Sequence, residues 1–181
     1  MLGFNFYPPS PRYIDPKNAR QIVDELNGKA VTVGVFVNES VDLVLKIAEE
    51  SNVDMIQLHG DETDEYIQEI RKRCGRRVIK AIRPTAGSDP EMFAVYDADA
   101  ILIDSYSPHL YGGTGDVSDW KAARNAARKF PKIFLAGGLT PENIRSAIES
   151  VRPYGVDVAS GVEAEKGRKN PKKMRDLIRI A

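Results

Sequence analysis

Short apolar β runs alternate with helical stretches along all 181 residues, and this alternation restricts the possible folds more than any other feature of the sequence. Leu2 to Phe6 is the first run, followed by a helix from Pro16 to Leu26 with Asp15 as N-cap; Val31 to Val37 leads to a helix from Val41 to Glu50 capped by Ser40. Met55 to Leu58 precedes a helix from Asp64 to Cys74, and Val78 to Ile82 precedes a weaker one near Asp89 to Tyr96. Ala100 to Ile103 precedes Ser118 to Lys129, Ile133 to Ala136 precedes Pro141 to Ser150, and Val156 to Ala159 precedes a last helix from Pro171 to Ile180. In mid-chain the strands start about 23 residues apart, near Asp54, Arg77 and Ala100, the period of a β/α repeat.

Alternation with continuous apolar strands predicts an α/β fold, a parallel sheet covered by helices. A doubly wound open sheet is disfavoured, since no GxGxxG follows the first strand and there is no P-loop. A TIM (βα)8-type barrel is favoured by polar residues where strands end: Asn5, Asn38, Gln57 with His59, Arg83, Asp104, Gly137-Gly138, and Asp157 with Ser160. The reading counts seven β/α units, one short of eight, within a single domain spanning residues 1–181. One unit of about 25 residues is therefore expected to be missing from the front, leaving the strand from Leu2 and the strand ending at Ala159 with unpaired edges. Those edges are a possible route to a homo-oligomer.

Within the alternation, Lys132 to Glu163 stands out. Ile133 to Ala136 breaks at Gly137-Gly138, and Thr140-Pro141-Glu142 is expected to open the next helix with an N-cap and an N1 proline; Val156 to Ala159 breaks at Ser160-Gly161. Each pair alone reads as ordinary turn glycines. Two such turns one β/α unit apart predict a backbone anion cradle, where barrels of this kind hold phosphate.

The charge balance says where an anion cannot be held. With 26 basic and 26 acidic residues the net charge is zero, so overall charge draws the chain to neither nucleic acid nor membrane. No run approaches the roughly 20 apolar residues of a membrane span, and MLGFNFYPPSPRYI has no signal-peptide pattern, so a cytoplasmic location is expected. Cys74 is the only cysteine and His59 and His109 lack metal-ligand spacing; neither a disulfide nor a metal is expected.

Four stretches carry a resemblance: GFNFYPPSPRYI, VGVFVNE with IQLHGDE, ILIDSYSPHLYGGTGDVSDW, and LAGGLTPEN with GVDVASGVE. Together, and in this order, they resemble phosphoribosylanthranilate isomerase of tryptophan biosynthesis. The resemblance implies an Amadori rearrangement of N-(5′-phosphoribosyl)anthranilate to the aminoketone 1-(o-carboxyphenylamino)-1-deoxyribulose 5-phosphate, with no metal or organic cofactor. It implies that Asp104 is the general acid that protonates the furanose ring oxygen, in front of a loop from Ser105 to Asp116 whose Gly112, Gly113 and Gly115 close over substrate. Arg12 matches the arginine that holds the anthranilate carboxylate, Gln57 and His59 line the pocket, Asp157 sits near the ribose hydroxyls, and Gly137, Gly138, Ser160 and Gly161 bind the phosphate.

One element of the family pattern has no counterpart. The family's general base is a cysteine on its first strand, in a Lys-Ile-Cys-Gly motif that this sequence does not contain. Cys74, in RKRCGRR at a helix end, falls on the face opposite the strand C-termini. The 181 residues alone are therefore expected to show little or no isomerase activity. Two alternatives stand beside this reading: another phosphosugar barrel related to ribulose-phosphate epimerase or indoleglycerol-phosphate synthase, and a non-catalytic phosphate-binding remnant that pairs with a second chain.

Overall fold

The computed structural model describes residues 1–84, 95–104 and 117–181. The chain forms two compact units. The first comprises Met1–Ala81 and Val95–Asp99, and the second takes in the described residues of 82–94 and 100–181.

The first unit is a run of parallel β/α repeats. Strands β1 (Leu2–Asn5), β2 (Thr32–Phe36), β3 (Met55–Leu58) and β4 (Arg77–Ile82) pair in sequence order, with α1 (Pro16–Leu26), α2 (Val41–Ser51) and α3 (Asp64–Cys74) between them. Each helix starts where a side chain can accept an orphan amide: Asp15 from Lys17, Ser40 from Leu43 and Thr63 from Tyr66. Each ends on a left-handed residue, Asn27, Asn52 or Gly75. The buried faces of the helices, Ala19, Val44, Ala48, Ile67 and Ile70, pack on Phe36, Ile56, Leu58 and Val78 from the strands. Phe6 and Phe36 touch with ring centroids 5.4 Å apart.

A carboxylate clamp recurs at the strand starts. Asp54, just before β3, accepts from the backbone N–H of Thr32 at 2.7 Å and from its hydroxyl at 2.8 Å. Asp99, just before Ala100, accepts from Val78 N at 2.8 Å. Thr32 N is the first amide of β2 and Val78 N the second of β4, so each aspartate ties the start of its own strand to the start of the one before it.

In the second unit β5 (Ala100–Asp104), β6 (Ile133–Ala136) and β7 (Gly155–Val156) are parallel, with α4 (Val117–Lys129) and α5 (Ile144–Val151) intervening. Ile101, Leu102, Ile103, Ile133, Leu135, Ala123, Ala126, Ile144, Ala147 and Val151 are buried. Arg124 on α4 donates to Ser150 O at 2.6 Å near the end of α5, tying the helix pair together.

Two boundaries depart from the sequence reading by three residues, and one element is added. α5 begins at Ile144 rather than Pro141, because Thr140 O accepts from both Asn143 N and Ile144 N and the intervening residues form a turn. β7 ends at Val156 rather than Ala159, and the chain then enters a 3-10 turn at Ser160–Val162. Between that turn and α6 (Pro171–Ile180) lies an antiparallel hairpin, β8 (Glu163–Glu165) with β9 (Arg168–Lys169), which the sequence analysis does not anticipate. Most of the weak helix expected near Asp89 to Tyr96 lies outside the described residues.

Candidate active site

The functional candidates of the second unit gather at the carboxyl ends of its strands. β6 gives way to Gly137 and Gly138, whose φ angles of 90° and 62° are left-handed. A Cβ at Gly138 would meet no atom within 4 Å, so backbone conformation, not crowding, is what calls for glycine there. Asn143 braces the turn: its Oδ1 accepts from Thr140 N at 2.8 Å and its Nδ2 donates to Gly138 O at 3.0 Å.

The second turn is seated on the first. A Cβ on Gly161 would run into Leu139 O and stand 3.1 Å from Thr140 Cα, so only a glycine backbone fits against the segment that follows Gly138. Ser160 is exposed beside it, as is Asp157, whose N–H donates to Leu135 O at 2.8 Å. The hairpin holds this turn from behind, with Lys169 Nζ donating to Ala159 O at 2.8 Å and to Glu163 Oε1 at 3.1 Å. Asp104 closes β5 opposite Ala136, the residue before Gly137, which places its carboxyl on the same strand-end row as the glycine turns. Its Oδ2 lies 3.4 Å from Nε of the mostly exposed Arg83.

In the first unit, Asn5, Val35 and Gln57 form one row across β1, β2 and β3. The loop bearing Arg12 leaves from Asn5 and returns to it, with Ile14 N donating to Asn5 O and Arg12 N to Ser10 Oγ. The Arg12 side chain is half-buried. Gln57 is buried, and its Nε2 lies 2.9 Å from Nδ1 of His59. With the amide nitrogen turned to the ring, Nδ1 is the accepting atom of this contact.

Sequence reasoning missed what stands behind His59. Lys80 and Glu62 form an ion pair at 2.8 Å with both side chains only 2% exposed. The available signal was a lysine inside the otherwise apolar run of β4. Cys74 ends α3, its Sγ donating to Ile70 O, immediately before the start of β4. The loop from Ser105 to Asp116, with Gly112, Gly113 and Gly115, lies outside the described residues, as does His109. Among the described residues no group of three or more His, Cys, Asp or Glu could hold a metal ion, and no helix is long and apolar enough to cross a membrane.

The family model for N-(5'phosphoribosyl)anthranilate (PRA) isomerase matches residues 1–179. The chain belongs to the phosphoribosylanthranilate isomerase family. The isomerase of Syntrophus aciditrophicus is 44% identical over 177 residues, 98% of this chain and 75% of that protein. The crystal structure of the Thermotoga maritima isomerase superposes with a TM-score of 0.88 at 42% identity, covering 99% of this chain and 86% of that one. An isomerase in complex with reduced 1-(o-carboxyphenylamino)-1-deoxyribulose 5-phosphate gives a TM-score of 0.85 at 40% identity, covering 99% and 85%. The α/β fold of the present chain is thus that of the phosphoribosylanthranilate isomerases.

Proposed function

We propose that this chain carries the acid and the phosphate seat of a phosphoribosylanthranilate isomerase, on seven β/α units of a TIM-type barrel. The match to the family model over residues 1–179 carries this reading. The reaction starts when a carboxylic acid protonates the furanose oxygen and the ring opens to a protonated Schiff base. Loss of the C2′ proton to a base then gives the enolamine, which becomes the aminoketone. Asp104 is the acid. Arg12 holds the anthranilate carboxylate through its planar guanidinium, with Gln57 and His59 lining the pocket. The amides at Gly137-Gly138 and Ser160-Gly161 hold the phosphate, and Asp157 meets the ribose hydroxyls.

What supports the phosphate assignment is that Gly161 packs on Leu139 and Thr140, so the two turns present their backbones together. The base is the missing element: Cys74, the sole cysteine of the 181 residues, belongs to the end of α3 and not to a strand. The substrate is accordingly a small phosphorylated sugar amine, and these residues bind it better than they turn it over.

Calorimetry with the reduced aminoketone 5-phosphate tests the reading. Saturable 1:1 binding that inorganic phosphate displaces, and that Arg12→Ala weakens, is the expected result. Equal affinity for ribulose 5-phosphate, or binding indifferent to Arg12, would count decisively against it.

A further inference from the structure

Gly60 follows His59 directly, and both of its peptide groups are held by the buried ion pair. Its N–H donates to the Glu62 carboxylate at 3.0 Å, and its carbonyl accepts from Lys80 Nζ at 2.6 Å. Glu62 Oε1 also accepts from Asn38 N at 2.8 Å, in the turn after β2. Asn38, at φ 51°, answers with its own side chain: Oδ1 accepts from Asp61 N at 2.6 Å and Nδ2 donates to Asp61 Oδ2 at 3.1 Å. A Cβ on Gly60 would collide with Asn38, so the two turns are in backbone contact. The third direction of the Lys80 ammonium faces the Tyr96 ring, 5.8 Å from its centroid. The network spans β4, the turn after β2 and the turn after β3, and its members converge on the residue that fixes where His59 lies.

A buried ion pair is a poor way to gain stability, since apolar side chains of similar volume often serve as well. What apolar side chains cannot do is hold a peptide N–H and a C=O at once. We propose that Lys80 and Glu62 are positioning residues: by clamping Gly60 they set the place of His59 and hold its Nδ1 against Gln57, so that the ring is fixed along the anthranilate end of the substrate. The last clause rests on the isomerase reading; the clamp on His59 does not.

The test is Lys80→Met in the full 181-residue chain, followed by two readouts. Long-range proton–nitrogen correlation of the His59 ring, assigned with His59→Gln, reports its tautomer. Wild type is expected as a pure Nε2–H form and K80M as a mixture with Nδ1–H. Calorimetry is expected to show affinity for the reduced aminoketone 5-phosphate falling by about tenfold, as for a displaced contact group, while affinity for inorganic phosphate stays at its wild-type value. A folded K80M that melts at a lower temperature but keeps the wild-type tautomer and both affinities would make the pair merely structural and overturn the proposal. Should K80M fail to fold, Glu62→Gln takes its place: the side chain keeps its volume and one amide oxygen, while the charged hold on Gly60 N and Lys80 Nζ is lost. The same two shifts, smaller, are expected, and unchanged readouts there refute the clamp. A wild-type chain that ignores the aminoketone analogue altogether sinks the isomerase reading, and the His59 tautomer comparison still decides the positioning claim.

Discussion

At Gly161 one hydrogen atom separates a fitted turn from a blocked one. A methyl group there would be forced into Leu139 O and against Thr140, and both contacts are backbone, which cannot swing aside. Gly161→Ala is therefore expected to destabilise the chain by about 1–3 kcal/mol, the usual range for overpacking. It is also expected to weaken phosphate binding by prising the two turns apart; chemical denaturation and phosphate calorimetry on the same sample check both. Tyr66 offers a second residue-scale measurement. Its hydroxyl donates to Glu39 O at 2.7 Å, and burial, together with the charges of Glu62, Glu39 and Glu69, pushes its pKa up to about 12. The folded state thus holds the phenol proton more tightly than the unfolded chain, whose tyrosines titrate near 10. This contribution to stability is whole below pH about 10 and is lost as pH rises toward 12. Ultraviolet titration should show one tyrosine ionising late, and Tyr66→Phe should remove that late step.

Elements are joined by short polar devices that recur with the β/α period. The clamp from Asp54 to Thr32 satisfies a buried strand donor and a buried hydroxyl, so Asp54→Ala leaves both without their charged acceptor. A loss of about 1.5–3 kcal/mol is expected, as for hydrogen bonds to charged groups, with no change in phosphate affinity, because the clamp sits at the strand starts. Equilibrium unfolding in urea measures it. Much at this scale was legible in the sequence. Asp15, Ser40 and Gly75 act as the caps their types and positions predict, because capping depends on a few neighbouring residues only. The shortfall at Thr140-Pro141 has an equally local cause of another kind: Asn143 reaches back to Thr140 N and Gly138 O, and this side-chain competition delays α5 until Ile144. The hairpin at Glu163–Lys169 escaped because its strands are two and three residues long, and Lys169 secures them by reaching back to Ala159 O.

For the chain taken whole, the decisive quantity is the ratio of binding to turnover. On the proposed reading, the 181 residues are expected to bind the reduced aminoketone 5-phosphate yet to isomerise substrate more slowly than family members that carry the Lys-Ile-Cys-Gly strand by about 10²–10⁴-fold, the typical contribution of a general base. A coupled assay that follows anthranilate fluorescence measures this, and supplying a β/α unit with its Lys-Ile-Cys-Gly strand should restore the rate. Turnover by the 181 residues at the level of those family members would refute the reading that they carry no base.

The type and order of the seven parallel strands and of α1 to α6, and the two glycine turns, follow from the sequence by itself, because apolar periodicity, caps and turn glycines are short-range properties that each segment carries with it. Asp104, Arg12 and Gln57 were named as site residues from the family resemblance of their motifs. The contact of Gly161 with Leu139, the row that sets Asp104 beside the first glycine turn, and the meeting of Lys80 with Glu62 and Gly60 were decided by tertiary structure alone. They join residues about 20 or more positions apart, and a strand shows its neighbours only once register and packing have brought them together.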